Sequence, residues 1–432
     1  MTISRRRLLQ AGLLGLAGAA VGTTAACGDD DSPTGGGSGS ESSDISLWYW
    51  SGGLSDKVVA DVPKQFPGIT FKPSQIGGAF KDKLVTTISS RQFMPDITGI
   101  KGEDIAYFMA QAGQFLDLNE LGAGDLKSQY LEWKWKQGST PDGKLIGFPI
   151  DIGPTALFYR ADIFKKAGLP SEVADVTAAA GTWDAYFDLG TKLKKALPGT
   201  FLVGEAAEVF DMAVNQSTKR YADADKKFIG DQEHIRRAWD LATKAVKLGI
   251  SFKVQSGKQD ANAAMSQGTL PGKLGAAWVA LDIKSAAEKT SGKWRVAPMP
   301  EGPANQGGSF LAIPKSSKAP KKSFEIIKWL LDVDNQGRGY TDSALFPSAP
   351  AAYKLPALTA PDEFFGGQVT IDVFGPAAQK IPVAYESQYD GVLRDPFAAE
   401  LSNVESKGKD PEAAWNDAVS AAKKAGERVG VS

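Results

Sequence analysis

A chain of 432 residues with 42% hydrophobic and 23% charged residues can bury two cores of ordinary size. Its 49 basic and 50 acidic residues leave a formal charge of −1, which argues against the clustered Lys and Arg surface that nucleic acid requires. A single histidine, His234, and a single cysteine, Cys27, argue against a Ser, His, Asp triad, a Cys and His pair and a zinc cage.

The chain opens on Arg5, Arg6 and Arg7, continues through an uncharged run rich in Leu, Ala and Gly, and reaches small residues before Cys27. That order reads as an export signal over residues 1–26. Ser4 to Gln10 resembles the twin-arginine motif, and Thr24, Ala25, Ala26, Cys27 resembles a lipobox, with Thr24 where leucine is usual. The resemblance implies acylation of Cys27 and an anchor at the extracytoplasmic face of a bacterial cell membrane. Residues 27–44 are dominated by Gly, Ser and Asp without apolar periodicity, so they read as a tether. Such a segment spans roughly 20 to 25 Å as a flexible coil.

From residue 45, Ile45, Leu47 and Tyr49 alternate with Ser46, Trp48 and Trp50 before a break at glycines, which predicts a strand running into a loop. Strands are also predicted in FPGITFKPSQIG and MPDITGI, with helical sequence between them, so an α/β layer with a parallel sheet follows. Ligands of such sheets sit at the carboxyl ends of the strands, here near Trp50 and Ser51. Further on come strand, turn and strand, a helix from about Ala161, and a helix that Thr182 can cap. The helix carrying His234 has a stripe of Ile235, Ala238, Trp239, Ala242 and Val246 and ends at Gly249; His234 lies off the stripe and reads as solvated. GGSFLAIPKSS predicts a strand, and KKSFEIIKWLLD a helix. Residues 332–340 match the front of a calcium loop through Asp332, Asp334, Gln336 and Gly337, but Ser343 replaces the closing glutamate, so calcium is set aside.

The ordered set LWYWSGG, GKLIGFPIDIGPTALFYRADIFKKAGLP, TWDAYFDLGTKL, GAAWVALDIK and GGSFLAIPKSSKAPKKSFEIIKWLL resembles the extracytoplasmic solute-binding proteins of carbohydrate ABC importers. The resemblance implies a two-lobed, periplasmic-binding-protein-like α/β fold with hinge crossings and a central ligand cleft. Lobe 1 would be residues 45–151 plus 309–346, and lobe 2 residues 152–308 plus 347–432. Crossings are expected near Asp151 to Pro154, Gly307 to Ser309 and Phe346 to Ala351. The implied protein is a monomeric receptor with no enzymatic activity, no catalytic residue, no metal and no cofactor, partnered by a small-molecule carbohydrate, permease subunits and the membrane.

A pyranose offers hydroxyls at its rim and C–H groups on its faces, so its site needs aromatic surfaces with fixed carboxylates or amides. Trp278 is the expected stacking residue, matching an aromatic of a maltose-binding relative in the family it resembles, with Asp282 four residues on. Trp50 and Ser51 end the first strand, and Asp104 matches a sugar-binding acid of the same relative. Asp151 stands at the first crossing, beside Gly153, where that relative has glutamate. Asn215 and Gln216 supply amides, and Tyr385, Tyr389 and Arg394 complete the expected set. Two alternatives stay open: a glycoside hydrolase pairing Asp151 with Glu205 or Glu208, and a receptor for a polyol, a glycerophosphodiester or a peptide.

Overall fold

The computed structural model of the protein describes residues 41–253 and 259–432; the expected export signal, Cys27 and most of the expected tether lie outside the described residues. Among the described residues no helix is long and apolar enough to cross a membrane. The strands are β1 (Asp44–Tyr49), β2 (Thr70–Gln75), β3 (Ile97–Lys101), β4 (Phe148–Pro149), β5 (Asp151–Ile152), β6 (Thr155–Arg160), β7 (Gly272–Ala276), β8 (Trp294–Pro298), β9 (Ser309–Ala312) and β10 (Phe346–Pro347).

One sheet has the order β2-β1-β3-β9-β4. Its first three strands are parallel, while β9 runs antiparallel between β3 and β4. The alternation in β1 separates its two faces. Ile45, Leu47 and Tyr49 are buried in a core with Val58, Val59 and Val62 of helix Asp56–Gln65 and with Phe324 and Ile327 of helix Pro320–Leu330. Trp48 and Trp50 pack on the opposite face with Phe80 and Leu84 of helix Phe80–Ser90.

A second sheet, β7-β6-β8, is antiparallel throughout. All six residues of β6 are buried, because helices cover both of its faces. Leu157 and Tyr159 face helices Trp183–Ala196, Ala206–Asn215, Glu233–Leu248 and the C-terminal pair Asp390–Lys407 and Pro411–Arg428. Ala156 and Phe158 face Val279–Ala286 and Ile371–Gln379. The chain leaves the five-stranded sheet after Pro149 and enters β6 at Thr155; it returns between Pro298 and Ser309. Beside these passages β5 pairs with β10 in a two-stranded ribbon.

Local signals act as expected. The Thr182 hydroxyl accepts from the Ala185 amide at 3.1 Å, and Gly249 ends its helix at φ 65°. His234 differs from expectation: it is half-buried, and its Nε2 lies 2.7 Å from the Arg220 carbonyl oxygen. Burial lowers its pKa, since a desolvated imidazolium loses hydration. The calcium-like stretch is helix Val333–Ser343, whose amino end the Asp332 carboxylate caps by accepting from Asn335 N at 2.7 Å.

Candidate functional site

At the carboxyl end of β1 the Trp50 ring lies across Gly53 and Gly99, where an added Cβ would approach its atoms to 2.6 Å. Phe80 meets it edge to face at 5.1 Å, and the Lys101 ammonium stands 5.5 Å from its centre. The indole is thus seated from below by two residues without side chains. Ser51 is exposed in the following turn. Beyond β3, Asp104 pairs with Lys81 at 3.0 Å, and Lys81 also lies 4.6 Å from the Tyr107 ring centre.

Gly102 brings this edge against the returning passage. A Cβ there would collide with the carbonyl oxygen of Gly308, and Gly153 is barred from a side chain by the carbonyl of Gln306. Gly307 and Gly308 hold φ of 84° and 82°, the left-handed region that glycine enters without strain. Close backbone approach therefore leaves no room for a side chain at Gly153. Asn305 stitches the passages by accepting from Gly153 N at 2.9 Å and donating to Gly307 O at 2.9 Å. Trp278, which opens helix Val279–Ala286, donates from Nε1 to Gln306 O at 3.2 Å.

Asp151 is buried beside the same glycines, and its Oδ1 has no hydrogen-bond partner. Lys134 is fully buried; its ammonium donates to Gln137 Oε1 at 3.0 Å and sits 3.6 Å from the Phe310 ring centre. Gln137 in turn donates from Nε2 to Glu386 at 2.9 Å, the residue that follows the exposed Tyr385. Burial pushes the Lys134 pKa down and the Asp151 pKa up, and the attraction between the two opposes both shifts. Lys134, Gln137, Gln306 and Glu386 were not anticipated from sequence. Lys134 lies in EWKWKQ among other charges, and nothing in that string tells which lysine turns inward.

The remaining expected residues divide. Tyr385 is 49% exposed and follows helix Ile371–Gln379 on the segment that leads to Glu386. Asp282 is exposed on the first turn after Trp278. Gln216 is committed to structure: it accepts from Trp183 Nε1 at 2.9 Å and donates to Pro300 O at 2.7 Å and Gly302 O at 2.6 Å. Asn215 is its half-buried neighbour at the end of helix Ala206–Asn215. Arg394 grips Asp211 through Nε at 2.8 Å and through Nη2, which raises its pKa further and leaves its fork occupied. Tyr389 packs against the large core on that flank. Thus Asp151 and Trp278 lie against the glycine passages, and Trp50 and Asp104 follow the strands whose edge Gly102 brings to the returning one, whereas Asn215, Gln216, Tyr389 and Arg394 belong to the flank of helix Ala206–Asn215. A cavity of about 700 Å³ on that flank, bounded by Gln216, Ser217, Arg237, Met299 and Glu301, reaches the returning passage at Met299 to Pro303 but touches none of Trp50, Asp104, Asp151 and Trp278.

The two acids considered for hydrolysis have settled environments. Glu208 is buried, pairs with Lys273 at 2.5 Å and accepts from Leu274 N at 3.0 Å. Glu205, half-buried one turn away, is pushed up to about 7 by burial and then by the charge of Glu208. Glu405 is buried alongside, accepting from Ala206 N at 3.1 Å and from the Ser251 hydroxyl.

The sequence pattern of the bacterial extracellular solute-binding proteins matches residues 57–366. The lactose-binding protein of Rhizobium radiobacter is 22% identical over 364 residues, covering 78% of this chain and 83% of its own. A crystal structure of an extracellular solute-binding protein of family 1 superposes with a TM-score of 0.83 at 27% identity, over 89% of this chain and 99% of that one. The galacto-N-biose/lacto-N-biose I-binding protein of Bifidobacterium longum superposes with a TM-score of 0.76 at 21% identity, over 90% of this chain and 98% of that one. These likenesses agree with the two helix-covered sheets joined by glycine-rich passages: the fold is the two-lobed α/β fold of periplasmic binding proteins, and the chain belongs to the bacterial extracellular solute-binding protein family.

Proposed function

We propose that this protein is a lipid-anchored receptor of an ABC importer that takes a mono- or oligosaccharide between its lobes and delivers it to a membrane permease. The lobes are residues 45–151 plus 309–346 and residues 152–308 plus 347–432, and Cys27 carries the lipid. The observation that carries the reading is Trp278: its indole is tied by Nε1 to Gln306 O on the passage between the sheets. A stacking face is thereby coupled to the part of the chain on which lobe rotation turns. Trp50, at the strand end of the other sheet, supplies a second aromatic surface, and Asp104, Asp151, Ser51, Asp282 and Tyr385 supply polar groups for hydroxyls. The sugar-binding names of the relatives support the same solute class.

The test is titration of residues 41–432 with a panel of mono- and oligosaccharides, followed by tryptophan fluorescence, with each sugar checked intact by chromatography. Saturable binding with the sugar unchanged is expected. Cleavage would assign the chain to a carboxylate hydrolase, and silence across the panel beside a response to polyols, glycerophosphodiesters or peptides would move the solute class. Fatty-acid labelling that vanishes in Cys27→Ala tests the anchor.

A further inference from the structure

The amino ends of β1, β2 and β3 lie at the end of their sheet opposite Trp50, because the three strands are parallel. The chain arrives here from its first 40 residues. Glu41 accepts from Lys321 N at 2.8 Å and Lys322 N at 2.9 Å, and Lys322 Nζ donates back to Glu41 O at 2.9 Å and Ser42 O at 3.1 Å. Asp96, just before β3, gathers the surrounding loops: its carboxylate accepts from Ser46 N at 3.0 Å, Ser317 Oγ at 3.0 Å and Lys318 N at 3.3 Å.

Three residues before Asp96 stands Phe93, 87% exposed and at φ 56°. A bulky side chain in the left-handed region is disfavoured, and here no burial compensates for it. Arg91, Lys315, Lys318 and Lys321 are exposed on the same loops and the adjoining helix start. Among the described residues, three acids at this end have partners already: Glu41 and Asp96 hold backbone amides, and Asp44 pairs with Lys72 at 2.6 Å.

We propose that this end of the five-stranded sheet is a membrane-contact face, with Phe93 entering the interfacial layer of an anionic bilayer and Arg91, Lys315, Lys318 and Lys321 over its headgroups. The inference rests on the lipid-anchor reading of Cys27, since a tether of that length keeps this face within a few nanometres of the surface. Such tethering makes a weak second contact effective. The chemistry is that of peripheral proteins generally: an exposed apolar tip with cations on the neighbouring loops, which anionic lipid attracts.

Residues 41–432 hold every buried cluster described above, so this segment can be tested without the anchor. It is to be sedimented at low salt with vesicles of phosphatidylcholine alone or mixed with phosphatidylglycerol. Binding to the mixed vesicles only is expected, falling about fivefold for each of Lys315→Gln, Lys318→Gln and Lys321→Gln. Phe93→Gly relieves the backbone, so it should raise the melting temperature while losing vesicle binding, an outcome that a purely structural Phe93 cannot give. No sedimentation with either vesicle, or sedimentation unchanged by these variants, overturns the proposal, as does retention only by vesicles carrying reconstituted permease, which would make the partner a protein. Failure of the anchor reading shows separately, as absence of fatty-acid labelling in wild type or its persistence in Cys27→Ala.

Discussion

Trp278 is fixed at its edge by the bond from Nε1 to Gln306 O, and the ring is only partly buried, so its free surface is available to a solute. Aromatic stacking is worth about 0.5–1.5 kcal/mol beyond the area it covers. Trp278→Ala should therefore weaken sugar binding by about tenfold or more, and Trp278→Phe by less, in a fluorescence or calorimetric titration; equal affinity for Trp278→Ala and wild type would remove Trp278 from the site. Glu205 makes a different kind of prediction. Its ordinary value is 4.5, and the fold holds it at about 7 by burial and by the nearby Glu208. The folded state binds the proton more tightly than the unfolded chain. The resulting stabilisation is complete below pH 4.5 and is lost as pH rises to 7. Glu205→Gln is neutral throughout, so its melting temperature should match wild type near pH 4.5 and exceed it at pH 7.5. Asp390, held at about 6, and the Lys134 and Asp151 pair titrate in both proteins and cancel in the comparison. A constant offset between the two melting curves would show that Glu205 is not the group responsible.

At the scale of the element, the passages between the sheets are built on backbone contact. Gly153 faces Gln306 O, and Gly102 faces Gly308 O, with no room for a methyl group at either. Gly153→Ala must push two hydrogen-bonded segments apart, at a cost of about 1–3 kcal/mol seen in thermal or urea unfolding. An unchanged midpoint would mean that the passages yield freely. Elements written in local sequence were legible: the alternation of Ile45, Leu47 and Tyr49, the Thr182 cap and the Gly249 terminus depend on neighbours in the chain. The placement of β9 was not, because Thr98 pairs with Ala312 across two hundred residues and no local pattern states the direction of that pairing. The site divides in the same way. Trp50 follows from a strand running into glycines, whereas the burial of Lys134 and the engagement of Gln216 and Arg394 with Pro300, Gly302 and Asp211 are set by distant segments. Residue type alone marks an amide or guanidinium as able to bind a hydroxyl, not whether it is already occupied.

For the whole molecule the question is what closes it. A solute shifts the balance between open and closed forms only to the extent that it binds them differently, which requires contacts from both lobes at once. Trp50 rides on the five-stranded sheet and Trp278 on the segment leaving the three-stranded one, so a sugar held by both links the two bodies. Wild type should contract in solution X-ray scattering when sugar saturates it. Trp50→Ala should still bind, about tenfold more weakly, through the Trp278 side, and at saturation it should contract less. The double variant, Trp50→Ala with Trp278→Ala, should then lose less affinity than the product of the single losses, because the closure that one substitution abolishes cannot be lost again. Full contraction in Trp50→Ala, together with strictly multiplicative losses, would mean that the two indoles act independently and that closure is driven by other contacts, with the Lys134, Gln137 and Glu386 chain the next link to break.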